Sequence, residues 1–426
     1  MTVTPMMSQW QACKTQAKEA LLLFRLGDFY EAFYEDAQII SKEIGLTLTA
    51  RQGIPMCGVP FHTAEGYIDK LIAKGHKIAI AEQTEDPKAA KGLVKREIAR
   101  IVTPGTVVNS QLLNDKKNNF FVAVMQVGSL FGVAALDLTT TEFKVSEHEK
   151  EQSLLDELCR LRPAEMLVSK QFECLKDLSF HFGFLANEKK ALDPSLSADV
   201  LKAHFDVHNL DGFGLRNKPA AVTAAGTLLL YLKEELNLSL EHLRSIQLDA
   251  LSTMAIDRST MRNLAIDTTL IDLLDETYTP MGGRLIRQWL QYPLLSVAQI
   301  TERQQEVEHY LHHPHAKEAR EHLSRIRDLE RLMMKISARY ATARDVYALG
   351  VSLSHLPALK HLLQLEGLFD AGPLAQKILS SLNDSPPLRI GEGDVFKDGY
   401  NTELDQLRLL CKDSMTWMAN YQIHLR

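Results

Sequence analysis

Cysteine is scarce in this 426-residue chain, and the five present (Cys13, Cys57, Cys159, Cys174, Cys411) are odd in number, scattered and nowhere in a C-x-x-C pair. That spacing excludes a disulfide framework and a cysteine-based zinc site. No run of about 18 apolar residues occurs, so no membrane-spanning helix is predicted. An excess of positive charge is missing too: 48 Lys and Arg stand against 54 Asp and Glu, a net of −6. No global field steers this chain to nucleic acid, and any such binding must come from a local patch. Residues 1–11 lack the basic-then-apolar pattern of a secretory signal, so the sequence reads as a cytoplasmic protein.

Catalytic motifs are equally sparse. There is no G-x-x-x-x-G-K-[ST], and no Gly-Lys dipeptide at all, so the phosphate-cradling loop of nucleotide hydrolases is missing. No H-E-x-x-H or G-x-S-x-G occurs, and no G-x-G-x-x-G opens a helix; Gly212-Phe213-Gly214 and Gly391-Glu392-Gly393 sit in loop-like sequence. His312, His313 and His315 cluster around Pro314, but without a Cys or acidic partner at ligand spacing they read as a polar loop rather than a metal site. Asp137 lies in the apolar run Val133–Leu138. A ribonuclease H-type nuclease would need further carboxylates converging on it, and the sequence shows no other acid at a comparable strand position, so a structural role is expected.

Hydrophobic residues make up 45% and charged residues 24%, ordinary values for a folded protein, and the length calls for two to four domains. Leu21 to Leu26 reads as a buried strand stopped by Gly27. From Asp28, apolar residues at Phe29, Phe33, Ala37 and Ile40 recur at helical spacing up to Gly45, and Gly53 to Pro60 reads as a loop. A helix over Ala64 to Lys74 and a strand over Lys77 to Glu82 make the first region α/β. Residues 109–119 read as a linker. Strands over Phe120–Val127, Leu130–Thr140 and Glu142–Ser146, a helix over Gln152–Leu161, a strand over Glu165–Ser169 and a helix over Ala220–Asn237 make a second α/β region. After Ile246 the apolar spacing is helical throughout. The expected fold is therefore multidomain, two α/β domains followed by an all-α region.

Two segments carry candidate chemistry. Lys88, Lys91, Lys95, Arg96 and Arg100 surround a single Glu97; such a tract suits phosphate contacts, or forms a solvated loop. In Gly27-Asp28-Phe29-Tyr30-Glu31, Asp28 reads as a helix N-cap with Glu31 completing a capping box. Phe29, at the first helical position, is then either a core plug or a projecting wedge.

These residues, with Pro55-Met56-Cys57-Gly58-Val59-Pro60-Phe61-His62, Ala81-Glu82-Gln83 and Arg100-Ile101-Val102-Thr103-Pro104-Gly105-Thr106, resemble the amino-terminal mismatch-recognition domain of the bacterial MutS family. Arg262-Asn263-Leu264, Thr279-Pro280-Met281-Gly282-Gly283-Arg284, Trp289-Leu290 and Arg327-Asp328-Leu329-Glu330-Arg331 resemble its helical core. Ala81 stands where that family usually has Cys, and Ala265 where Glu is common. The resemblance implies a mixed-sheet mismatch-recognition domain (1–108), a linker (109–119), a ribonuclease H-like connector (120–240) and a helical lever or core domain (245–426) truncated before the clamp. It also implies DNA contact through the F-x-E pair, Phe29 and Glu31, with phosphate grip from Arg51, Lys91, Lys95 and Arg96. The implied partners are double-stranded DNA with mismatches or small loops, MutL-type repair proteins and a second copy of the chain, in a nucleoid-associated bacterial setting. ATP and Mg belong to the complete family protein, whereas no cofactor and no ATPase activity are expected of these residues. The rival expectation is a connector-domain interaction scaffold with weak DNA binding.

Overall fold

The computed structural model describes residues 4–85, 94–108, 113–169, 185–248, 253–387, 391, 393–411 and 414. They form two compact units, residues 1–275 with 284–296, and residues 276–283 with 297–426. The first unit contains two mixed sheets and the second is helical, in line with the expected fold class.

Thr4 and Pro5 open helix α1 (Pro5–Ala17), the threonine side chain accepting the Met7 N–H and the proline filling the first turn. Its Met7, Trp10, Cys13 and Ala17 are buried on one face. Strands β1 (Leu21–Leu26), β2 (Phe29–Phe33), β3 (Thr49–Arg51), β4 (Ile54–Pro60), β5 (Ile78–Gln83) and β6 (Arg96–Val102) build the first sheet in the order β3-β4-β2-β1-β5-β6. Only the β1–β5 pairing is parallel. One face packs against α2 (Tyr34–Ile44) and α3 (Ala64–Ile72), burying Leu21, Leu23, Tyr30, Ile40, Ile68 and Leu71 among others. The other buries Leu22, Phe24 and Phe33 together with Trp10, whose ring meets Phe33 edge-on at 6.1 Å. The Asp36 carboxylate ties three elements, accepting the Leu22 N–H at 3.0 Å and the Lys14 ammonium at 2.8 Å.

Two sequence readings are corrected here. Asp28 caps no helix: Gly27 (φ 58°) and Asp28 form the two-residue turn of a hairpin that pairs Leu26 with Phe29. Phe29 to Phe33 is strand, and helix begins only at Tyr34. The hydrophobic spacing that suggested one helix from residue 28 joins a strand with period two to a helix with period 3.6. Of Gly53 to Pro60, read as a loop, Ile54–Pro60 forms β4, whose position between β2 and β3 overrides its Gly and Pro content.

The second sheet runs β11 (Leu185–Glu188), β10 (Glu165–Val168), β7 (Phe120–Val127), β8 (Leu130–Asp137), β9 (Glu142–His148) and β12 (Gln247–Leu248). β7, β8 and β9 are an antiparallel meander; β10 runs parallel to β7, and β11 parallel to β10. Helix α4 (Glu151–Leu161) makes the crossover to β10, while α5 (Pro194–Phe205) and α6 (Pro219–Leu230) cover the opposite face, where the apolar core is continuous with that beneath the first sheet. The helix expected over Ala220–Asn237 ends in a π-type turn, Tyr231–Glu235.

Residues 253–275, read as the start of the helical region, group with the first unit and contain the short helices α7 (Arg258–Asn263) and α8 (Ile271–Leu274). Helix α9 (Pro280–Gln291) begins with the Thr279 hydroxyl accepting the Gly282 N–H. The second unit is built from α10 (Val297–Leu311), α11 (Ala316–Leu323), α12 (Leu329–Ser337), α13 (Ala343–Ser354), α14 (Leu356–Leu362) and α15 (Gly372–Ser381), with helix again at 402–411. The motif Arg327–Arg331 has a structural cause: Asp328 is the N-cap of α12, accepting the Arg331 N–H. Helix α13 stops at Ser354 and, after His355, Pro357 opens α14. Among the described residues, no helix is long and apolar enough to cross a membrane.

Candidate nucleic-acid interface

The interface candidate is the open end of the β1–β2–β4 ribbon. Period two along β2 puts Phe29, Glu31 and Phe33 on one face, with opposite fates at its ends. Phe33 is buried against Trp10, whereas Phe29, beside the turn, is 47% exposed. Phe29 is thus not sealed in the core as Phe33 is. The register sets Phe29 against Pro60 and Glu31 against Gly58. A Cβ at Gly58 would lie 3.5 Å from Glu31 Cγ and 3.9 Å from Phe29 Cδ1, so the glycine keeps the floor between the two side chains clear.

The neighbourhood is braced. Asp28 accepts the Phe61 N–H at 2.9 Å, closing the hairpin tip onto the residue after β4. The Arg25 guanidinium lies 3.7 Å from the Phe61 ring centroid, a cation–π contact that stiffens the same end. On the far face the Tyr30 hydroxyl donates to Glu82, and burial, followed by that acidic partner, pushes the phenol up from its ordinary range. This gives the Glu82 of Ala81-Glu82-Gln83 a structural task directly behind Phe29 and Glu31.

The expected phosphate contacts separate. Arg51 lies on the edge strand β3, 51% exposed, with Nη1 3.2 Å from Glu31 Oε2; Glu31 itself is 15% exposed. Lys95 is exposed and pairs with Glu97 at 2.6 Å, which raises its pKa. Arg96 does not reach solvent. It is buried, donating from Nε to the Arg25 carbonyl at 2.6 Å and from Nη1 to the Val94 carbonyl at 2.7 Å. The expectation that Arg96 grips phosphate is therefore replaced by a role in locking β6 to β1. Lys91 lies outside the described residues, as does Lys88. Arg96 to Arg100, part of the basic tract read as phosphate contacts or a solvated loop, belongs to β6.

Asp137 is fully buried and saturated: it accepts from the Thr139 N–H (2.8 Å) and hydroxyl (2.7 Å), the Asn119 N–H (3.0 Å) and the Asn118 amide (3.1 Å). Four donors make it a turn-fixing carboxylate. Other acids do occupy strand positions in this sheet, Glu142 at the start of β9 and Glu165 at the start of β10, contrary to the sequence reading. Glu165 is fully buried and accepts the Gly105 N–H and the Asn187 amide. Among the described residues, no group of three His, Cys, Asp or Glu could hold a metal ion.

Family profiles described as MutS domain I, MutS domain II and MutS domain III match residues 4–111, 119–244 and 259–422. The DNA mismatch repair protein MutS of Protochlamydia amoebophila is 49% identical over all of this chain, which covers 53% of that protein. Those of Halothermothrix orenii and Chlamydia muridarum are 39% and 38% identical over 99% and 100% of the chain, covering 50% and 55% of their lengths. The chain thus spans about half the length of the curated relatives it matches, and it belongs to the MutS family.

Proposed function

We propose that this chain is the mismatch-sensing part of a DNA mismatch repair protein, binding duplex that contains a mispair or a small loop from the minor-groove side. The observation that carries the reading is Phe29, an aromatic ring held out of the core at a braced hairpin end, beside a carboxylate on the same face. An aromatic inserted between base pairs unstacks one step and kinks the duplex, at a cost of a few kcal/mol. A mispair has already lost part of that stacking and pairing, so the wedge selects deformable sites rather than a sequence. Glu31 sharpens the choice. A carboxylate near polyphosphate is tolerated where it accepts a hydrogen bond from a displaced base, and is penalised against paired DNA. Exposed Lys95 supplies sequence-independent grip.

Signalling to MutL-type proteins, dimerisation and coupling to an ATPase are proposed for the complete protein, through its connector and through segments outside this sequence. The residues present offer neither a Walker A loop nor, among those described, a metal-holding cluster.

The reading is tested by titrating the 426-residue chain with matched and G·T-containing duplexes at two salt concentrations. Tighter binding to the mispaired duplex, with a mispaired-to-matched ratio that survives added salt while both affinities fall, is the expected outcome. Equal affinities at both salts would favour the scaffold alternative.

A further inference from the structure

Arg51, expected to grip phosphate, has another partner in the structure: its Nη1 is 3.2 Å from Glu31 Oε2. Strand register explains the pairing. Glu31 on β2 faces Gly58 on β4, and Arg51 on β3 faces Ile54 on that same strand. Ile54 and Gly58 are an even number of residues apart, so all four positions share one face of the sheet. Gly58 adds no side chain beside the carboxylate, and the cross-strand neighbour of Glu31 on β1 is the uncharged Phe24. Among the described residues, Arg51 is thus the cation within ion-pair distance of Glu31. Its place on the β3–β4 hairpin, immediately before the turn at Gln52 and Gly53 (φ 52° and 81°), fixes the strand end from which it reaches. One carboxylate oxygen is engaged; Oε1 accepts no hydrogen bond from a described residue.

In the free protein this pair is partly solvated and adds little to stability. A docked duplex changes the balance. Water leaves the groove, the attraction within the pair strengthens, and a carboxylate without its counter-ion would be buried next to phosphates. We propose that Arg51 is the counter-ion and positioning residue of Glu31: it remains paired when DNA docks, holds Oε2, and leaves Oε1 to meet the base. The inference rests on the reading of Phe29 and Glu31 as the DNA-facing pair.

A double-mutant cycle of Arg51→Ala and Glu31→Gln in the full 426-residue chain tests it, with Kd measured at low salt on a matched duplex and on one with a single G·T mispair. Truncating one partner of a buried charge pair penalises the charge left behind. Arg51→Ala is therefore expected to weaken binding about 10-fold or more with Glu31 intact, and about 3-fold or less in the Glu31→Gln background. Glu31→Gln should accordingly cost at least about 3-fold less in the Arg51→Ala chain than in the wild type, and Arg51→Lys, which keeps the charge, should lose less than Arg51→Ala. A phosphate clamp predicts one and the same factor in both backgrounds, and that result overturns the proposal. The two failures are separable. Equal factors with mispair preference intact sink the role of Arg51 alone. Coupling without mispair preference sinks the mismatch reading alone, and absence of duplex binding sinks both.

Discussion

Phe29 and Phe33 are the same residue type on the same strand face, and their surroundings assign them different work. Phe33 is fully buried beside Trp10, so Phe33→Ala is expected to cost about 3–5 kcal/mol in denaturant unfolding, as core aromatic truncations do. Phe29 is half exposed, and Phe29→Ala should leave stability within about 0.5 kcal/mol, as surface changes do, while removing mispair discrimination. A large unfolding penalty for Phe29→Ala would return it to the core-plug reading. Arg96 makes the opposite case: its guanidinium is committed to two backbone carbonyls, so Arg96→Ala should destabilise by about 1–3 kcal/mol, the cost of stranding buried acceptors. A stability change near zero together with a lower salt slope of DNA binding would restore the phosphate role.

At the scale of elements, the sequence exposed most of the units that are autonomous in their patterning. Strands β1 and β5, the β7–β8–β9 meander and the crossover helix α4 were readable because each run obeys one period and ends in Gly or a polar turn. Misreadings occurred where identity depends on neighbours. Residues 28–33 hold an N-cap signature that loses to pairing with β1 and β4 on both sides, and Tyr34, at φ 56°, makes the abrupt change from strand to helix. Strand β6 was hidden by its charges, which an edge strand tolerates. Helix α1 passed unnoticed although Thr4-Pro5 and the spacing of Met7, Trp10, Cys13 and Ala17 announce it. Of the candidate site, Phe29 and Glu31 were legible as residues, but not their strand setting, nor the partner of Glu31, which comes from two strands away. Helix α3 carries its own prediction. Burial, with Glu65 adding to it, raises the Asp69 carboxyl from 3.8 to about 6. A raised acid favours the folded state fully below its unfolded pKa, and this contribution is lost as pH rises from about 4 to about 6. Asp69→Asn should flatten that part of the stability profile and gain about 1 kcal/mol at pH 7, a value discounted for solvent screening; an unchanged profile would contradict the assignment.

Across the whole first unit, the two sheets are joined by a buried polar node. The Thr103–Thr106 capping box places Gly105 so that its N–H reaches Glu165, while Asn187 bridges Glu165 to Lys77 of the first sheet region. A Cβ on Gly105 would stand 2.8 Å from Glu165 Cβ and 3.1 Å from the Phe121 ring. Gly105→Ala is thus expected to destabilise the unit by about 1–3 kcal/mol through overpacking, and thermal melting that shows no loss would contradict this docking. Such a junction gives the exposed end of the β1–β2 hairpin a firm base within the first unit. The central claim is that Phe29 unstacks a weakened base step. Its most direct measurement is the fluorescence of 2-aminopurine placed beside a G·T mispair, titrated with the wild-type chain and with Phe29→Ala. The account predicts a rise in emission with the wild type, larger on the mispaired than on the matched duplex, and none with Phe29→Ala; an equal rise with both proteins would contradict it.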